Sequence, residues 1–529
     1  MARANEEDTL EAFMAEINQE LKTSKPSEGP KNRREEFERE DDIESFMKFH
    51  TEKLIAEQKA AALTGKKEEF EYDSDDNPIS KKQVEPLPPL NHAEIDYEPI
   101  DKHFYKEHPE VTQLTPEEIK QYRKAHQIRV SWTTDEPPPP VKTFAHYKFD
   151  EILNKTIAEA GYTEPLPIQK QAVPVALSGR DIIGIAKTGS GKTCAFVWPM
   201  IIHIKAQRPL LKGEGPIGII VAPTRELAQQ IYSETKKFAK PYRLKVASLF
   251  GGMQNKKQQI QKLKLGQHIV VATPGRLIDI IKLKIIKTVR VTFLVLDEAD
   301  KMFDMGFEPQ VRSIVGQINP NRQTLLFSAT FKRPIEELAR DILTNPVRIT
   351  VGLGVGAANE DITQVVNVFD TEDQKWPWLM SRIGNWVQEG SVLIFCTKKN
   401  VAEDISNRLN EQNFSTAAIH GDKTQPERTK IMFAFKHHNL PVLVATDVAS
   451  RGLDVKNVKT VLNFQCARDI DAHTHRIGRT GRAGEKGVAY TLITKKEANF
   501  AGELVKNLQG AKQYVSPELQ QLAMKNRKF

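Results

Sequence analysis

From Ala186 to Thr193 the chain reads Ala186-Lys187-Thr188-Gly189-Ser190-Gly191-Lys192-Thr193, residue types whose spacing suits the holding of a phosphate chain. Glycines let backbone N–H groups converge on phosphate oxygens, a lysine ammonium neutralises β/γ charge, and a threonine hydroxyl can reach a magnesium ion. The general form of this loop has Gly where Ala186 stands, so the generic pattern fails by one residue. Some hundred positions on comes Asp297-Glu298-Ala299-Asp300, directly after an apolar run. A carboxylate ending a buried strand can hold a magnesium-bound water, and Glu298 beside it can orient or deprotonate an attacking water. Ser328-Ala329-Thr330 adds a third short cluster of small and hydroxylated residues. Together they imply hydrolysis of a nucleoside triphosphate.

These residues need strands to carry them. The apolar runs Asp181–Ala186, Ile217–Pro223, Ile269–Thr273, Thr292–Leu296 and Thr324–Phe327 alternate with helical segments. Continuous rather than alternating hydrophobicity marks strands buried on both faces, as in parallel sheets covered by helices. A second series follows: Val392–Cys396, Ala417–His420, Val442–Ala445, Thr460–Phe464 and Val488–Ile493. The expected class is α/β, with two tandem domains at 144–352 and 363–508 joined by a Gly-rich flexible linker at 353–362. Residues 1–143, rich in Glu, Lys and Asp and ending in Pro137-Pro138-Pro139-Pro140, read as a largely disordered extension with a stiff spacer. Two islands, Asp8–Met14 and Asp41–Met47, could fold on a partner. A short basic tail, 509–529, ends the chain.

A length of 529 residues predicts two or three domains. The net charge of +7 hides an asymmetry: residues 1–100 carry −12 and the remainder +19, an acidic arm on a body suited to polyanions. Cys194, Cys396 and Cys466 show no paired spacing, which excludes a disulfide framework or four-cysteine zinc site. No stretch has the length and apolarity of a membrane span or a secretory signal, so a soluble, intracellular protein is expected.

With these motifs in order across 144–508, the chain resembles the DEAD-box RNA helicases of superfamily 2, and the fold implied is two RecA-like domains. Ala at the head of the phosphate loop is usual in that family. The resemblance implies ATP and Mg2+ as cofactors and gives each motif a role. Gln169 matches the glutamine that reads the adenine edge, its amide offering the donor and acceptor that adenine requires. Phe144, seventeen residues before Gly161, matches the aromatic that stacks on the base. Leu166 stands where the family usually has Ser or Thr. Thr188, Gly189, Ser190, Gly191, Lys192 and Thr193 match the phosphate site, and Thr193 and Asp297 the metal site. Pro223, Thr224, Arg225, Gly251, Gly252, Thr273, Pro274, Gly275 and Arg276 match RNA-backbone contacts, which grip phosphates without reading bases. Ser328 and Thr330 match the motif that couples ATP to RNA, through hydroxyl bonds to Asp300.

In the second domain, His475-Arg476-Ile477-Gly478-Arg479-Thr480-Gly481-Arg482 packs three arginines at spacing three, able on a helix turn to clamp a γ-phosphate. By resemblance Arg479 and Arg482 are arginine fingers and His475 bridges to the first domain. With Lys192, Asp297 and Glu298 they make the implied catalytic set. Asp454 matches the ribose contact, and Thr397, Gln425, Arg428 and Thr446 match further RNA contacts. Gln465-Cys466-Ala467 stands where the family has Asp and, two residues on, Pro, a change expected to weaken a contact between the domains.

Glu71–Ile79, Ile95–Pro99 and Phe104–Glu107 resemble the amino-terminal region of splicing members of this family, and Asp8–Met14 a segment that docks on a branch-site splicing factor. The expected activity is local, non-processive RNA unwinding or ribonucleoprotein remodelling by a monomeric core in the nucleus, possible also in the cytoplasm. Its partners would be single-stranded or locally duplexed RNA and branch-site splicing proteins bound through residues 1–140, with no membrane. An annealing chaperone, an ATP-gated RNA clamp and a binding-only assembly placeholder stay open as alternatives. Ser74, among Asp73, Asp75 and Asp76, suits acidic-directed phosphorylation.

Overall fold

A computed structural model describes residues 71–72, 78–79, 86–88, 90–187, 189–211, 213–250, 256–352, 362–447, 458–481 and 486–525. The islands at Asp8–Met14 and Asp41–Met47, the linker glycines Gly354 and Gly356, and Ser74 lie outside them. Glu71–Tyr72 and Pro78–Ile79 form a two-stranded antiparallel pair in a unit of their own.

The second unit begins at Lys82 and contains two sheets. The first has eight strands: β1 (Ile128–Ser131), β2 (Ile182–Ile185), β3 (Gly218–Val221), β4 (Val246–Leu249), β5 (Ile269–Ala272), β6 (Phe293–Leu296), β7 (Gln323–Ser328) and β8 (Val347–Val351), in the order β1-β8-β2-β7-β6-β3-β5-β4. Every pairing is parallel except that of β1, which lies antiparallel on β8 with Val130 opposite Ile349. The apolar runs behave as their continuity implies. Ile220 packs with Trp198, Phe238 and Phe293 on one face, while Ile219 and Val221 pack with Leu277 and Leu296 on the other. Each fully buried aliphatic or aromatic side chain contributes roughly 1.5–3 kcal/mol of transfer free energy, so both faces must be covered for the strands to exist.

The second sheet has β9 (Ile362–Phe369), β10 (Ser391–Cys396), β11 (Thr416–Ile419), β12 (Val442–Thr446), β13 (Val458–Asn463) and β14 (Gly487–Thr494), ordered β9-β14-β13-β10-β12-β11 and wholly parallel. Along β10, Leu393 and Phe395 join one core while Val392, Ile394 and Cys396 join the other.

Residues 90–143 depart from the expected disordered extension. Helix α1 (Pro116–Ala125) opens with a reciprocal cap between Thr115 and Glu118 and leads into β1. The N–H groups of Phe104 and Tyr105 both donate to Leu177 O, and Glu98 pairs with Arg208. Nor do the prolines form a free spacer: Pro137, Pro140 and Val141 are buried, and Pro138 O accepts from Gln171 Nε2 at 2.8 Å. Composition implied a disordered arm, whereas Glu98 is paired with Arg208 and Phe104, Tyr105 and Val130 pack against the core of the first sheet. The body therefore starts well before Phe144. At the other end Pro517–Met524 is a helix with Leu519 and Ala523 fully buried, so the tail is built into the second domain up to Lys525, and Asn526–Phe529 lie outside the described residues.

Candidate active site and polyanion cleft

The candidate residues gather where parallel strands end, the edge at which α/β sheets place ligands. After β2 the chain turns through Gly189 and Gly191, at φ 76° and 85°, and enters helix α3 (Lys192–Ala206). Gly191 needs its hydrogen for space as well, since a Cβ there would lie 2.6 Å from Gln169 Nε2. Lys192 is buried and its Nζ donates to Ala186 O at 2.6 Å and Lys187 O at 3.3 Å. Ser190 Oγ is buried with no hydrogen-bond partner among the described residues. Thr193 is half-buried in the first turn of α3, and Thr188 lies outside the described residues.

Gln169 sits in helix α2 (Pro167–Leu177), fully buried, with Oε1 accepting from Leu166 N at 2.8 Å and Nε2 donating to Gly191 O at 3.0 Å. The bond from Leu166 uses its backbone, so the absence of a hydroxyl there leaves the Gln169 amide anchored. Each end of that amide keeps one hydrogen-bonding position in reserve. Phe144 lies half-buried, edge-on to Trp198 at 5.7 Å.

Asp297 follows β6, and burial pushes its carboxyl up to about 7, against the pull of nearby Lys192. Glu298, also buried, holds left-handed backbone at φ 51° and opens helix α4 (Ala299–Asp304). For a non-glycine residue that conformation stores strain of a kind that clusters at functional sites. Burial works against the Asp300 carboxylate, but nearby Lys301 and Lys192 and the Thr330 N–H together hold its pKa below the usual value. Asp300 Oδ2 accepts from Thr330 N at 3.0 Å and Thr330 Oγ1 at 3.1 Å. Ser328 uses its hydroxyl differently, accepting from the Asp300 backbone N–H at 3.3 Å. The donor set fits a triphosphate with a divalent cation: an unpartnered hydroxyl, two left-handed glycines, a buried ammonium, and a carboxyl that burial leaves short of positive charge.

Across the cleft, His475 lies near the end of helix α5 (Ile470–Ile477), its Nε2 3.9 Å from Asp300 Oδ2. Burial pushes its imidazole down to about 3, so it faces Asp300 uncharged. Of the three arginines spaced by three, Arg476 does not face the cleft. Its guanidinium is bidentate to Asp447 at 2.6 and 2.7 Å and donates to Gln465 O at 2.7 Å, locked inside the second domain. Arg479 is buried in the turn after α5, and Arg482 and Asp454 lie outside the described residues.

A second cavity of about 500 Å³ opens between the domains, lined by Pro223, Thr224, Arg225, Thr273, Gly275 and Arg276 from the first and by Lys423 and Arg428 from the second. Two helix amino termini meet it, those of Arg225–Ala239, capped by the Thr224 hydroxyl, and Pro274–Lys282. Burial, with Arg428 and Arg276 nearby, holds the Arg225 pKa below its ordinary value despite the pull of Glu226. Arg428 spans the cleft to Glu226 at 2.8 Å. Clustered guanidiniums and helix amino termini make a site for anions. Thr446 is buried at the end of β12, while Gly251, Gly252 and the side chain of Gln425 lie outside the described residues.

Gln465 bonds within the second domain: its Oε1 accepts from Thr397 N at 3.0 Å, Thr397 Oγ1 at 2.9 Å and Lys398 N at 3.4 Å. The carboxamide oxygen thus presents an acceptor where the family has a carboxylate. Sequence reading missed the bridges from Lys332 to Asp471 and from Arg468 to Asp304, which join the domains beside His475. Charged residues next to Thr330 and α5 were the only hint of them.

Comparison with known proteins agrees with this geometry. The DEAD/DEAH box helicase family matches residues 166–338, and the helicase conserved C-terminal domain matches 374–484. ATP-dependent RNA helicase DDX42 of Homo sapiens is 56% identical over 455 residues, 86% of this chain and 48% of that protein. DEAD-box ATP-dependent RNA helicase 24 of Oryza sativa subsp. japonica is 57% identical over 457 residues, 86% of this chain and 59% of that protein. The chain therefore spans about half the length of the curated relatives it matches. The structure of S. cerevisiae Dbp5 bound to RNA and ADP BeF3 is 26% identical with a TM-score of 0.62, covering 71% of this chain and 95% of that one. Two parallel α/β domains, the phosphate loop, the strand-end carboxylates and these matches lead to one assignment: the chain belongs to the DEAD-box helicase family, with DDX42 among its close relatives.

Proposed function

We propose that this chain is an ATP-dependent RNA helicase that couples hydrolysis to local, non-processive RNA strand separation or protein displacement, acting in the nucleus at the branch-site recognition stage of splicing. The observation that carries the reading is the place of α4. At its start are Glu298 and Asp300, the latter bonded to Thr330 and facing His475 of the other domain. Directly after its end, Met305 and Phe307 line the arginine cavity. One short helix thus joins the nucleotide site to the polyanion site. The names of the relatives, ATP-dependent RNA helicases, and the RNA and ADP BeF3 bound by Dbp5 support the same chemistry.

In this reading Phe144 and Gln169 hold the base, and Lys192 with the loop N–H groups holds the phosphates. Thr193 and Asp297 would hold Mg2+, which when bound neutralises phosphoryl oxygens and orders water. Glu298 orients the attacking water and accepts its proton, and Arg479 and Arg482 supply charge from the second domain. RNA phosphates enter the cavity of Arg225, Arg276 and Arg428. Both ligands touch both domains, so each favours the closed state the other needs, and hydrolysis releases them by a population shift. Residues 1–140 recruit branch-site splicing proteins.

The test is Glu298→Gln. RNA-stimulated ATP turnover should fall at least about a hundredfold, with binding of ATP and RNA retained. Undiminished turnover would remove the hydrolytic reading. Crosslinking of the intact chain in nuclei should recover branch-site RNA and proteins, and their absence would remove the splicing assignment.

A further inference from the structure

We propose that the segment from Phe104 to Val141 is a positioning element for adenine recognition, with Gln171 as its central positioning residue. The proposal rests on the ATP reading of Gln169. Helix α2 carries Gln169 against the phosphate loop, and the preceding segment wraps the rest of that helix. At its carboxyl end, Leu177 O accepts from both Phe104 N at 2.7 Å and Tyr105 N at 2.9 Å. In its first turn, Lys170 O accepts from Val141 N at 2.9 Å, while Lys170 Nζ bonds Glu164 Oε1 at 3.0 Å and reaches His126 Nε2 at 3.1 Å.

Gln171 lies between these points, fully buried although polar. Its Oε1 accepts from Arg123 Nε of α1 at 3.0 Å, and its Nε2 donates to Pro138 O at 2.8 Å. Gln169 and Gln171 thus tie the same helix in two directions, one to Gly191 and one to the wrapping segment. The motif reading gives Gln171 no task, yet a buried amide is costly unless both its ends are bonded. The segment is further fixed by β1 on β8, which itself pairs with β2, the strand that enters the phosphate loop. A helix held this way presents Gln169 in one orientation, and binding is strengthened when recognition groups are ordered in advance.

The experiment uses the full chain with Gln171→Met, which keeps volume and removes both bonds, and Arg123→Met, which removes one from the outer side. Steady-state ATPase with saturating RNA gives KM and kcat for ATP, and competition by ADP against GDP gives base discrimination. Each variant should raise the ATP KM about three- to tenfold, leave kcat within about twofold, and narrow the ADP-over-GDP preference by a similar factor. Unchanged KM and discrimination in both variants would overturn the proposal, as would a loss of kcat in step with loss of folded protein. Failure of Gln171→Met to fold leaves Arg123→Met to decide by the same two readouts. A wild-type chain that does not prefer adenine nucleotides would instead overturn the ATP reading, and this proposal with it.

Discussion

Replacing Gln465 by leucine isolates one oxygen atom. Leucine has a similar bulk but cannot accept from Thr397 N, Thr397 Oγ1 and Lys398 N, so two bonds at 3.0 and 2.9 Å and a weaker one at 3.4 Å are lost. Thr397 is half-buried and Lys398 exposed, so water can replace part of what is removed. The net cost is then roughly 1–2 kcal/mol rather than the full penalty of buried orphans. Where it appears depends on the loop. If the turn after β10 keeps its conformation, the cost enters stability, and the melting temperature falls by about 2–8 °C. If the turn relaxes, RNA must reorder it, and affinity falls by about five- to thirtyfold. Thermal melts and fluorescence anisotropy of a short RNA with a non-hydrolysable ATP analogue measure the two shares. Gln465→Glu, which retains an acceptor, should lie closer to wild type in both. A leucine variant matching wild type in melting and in RNA affinity would refute the claim that Gln465 positions Thr397.

Reversing the bridge between Lys332 and Asp471 tests whether this contact between the domains contributes to coupling. Lys332→Glu or Asp471→Lys alone should weaken the mutual enhancement of ATP and RNA binding by about two- to tenfold, since exposed pairs are modest, and the double variant should recover most of it; independence of the two changes in the cycle would rule the bridge out. His203 supplies a pH test. Burial lowers its pKa to about 3, while in the unfolded chain it titrates near the ordinary histidine value of 6.5. As pH falls from 6.5 toward 3 the unfolded state binds the extra proton, so the folded state loses stability over that window. Between pH 7.5 and 5, His203→Gln should therefore lose less melting temperature than wild type, and equal slopes would contradict that assignment.

What was legible in the chain were properties that neighbouring residues settle among themselves. Runs such as Ile217–Pro223 announce buried parallel strands because each residue is apolar whichever face it takes, and β3 lies inside that run. The strands β1, β4, β8 and β9 escaped notice because polar residues interrupt them, as Arg348 and Thr350 do in β8 and Gln364 and Asn367 in β9. The phosphate loop and the strand-end carboxylates were legible because their chemistry fixes residue type at short spacing. Arg476 shows the limit of that logic. Its spacing from Arg479 is that of a clamp, but its direction is set by Asp447, twenty-nine residues upstream. The wrapping segment fails for the same reason on a larger scale. Glu98 finds Arg208 110 residues away, and Phe104 and Tyr105 find Leu177 in another element. A charge reads as solvated until its partner is known, so charged composition underestimates order wherever the partners are distant. By that reasoning Gln171 was unreadable for a different cause than Gln465. Gln465 stood out as a departure from a pattern, whereas Gln171 belongs to no pattern, and only the two directions of its amide reveal that it has a task.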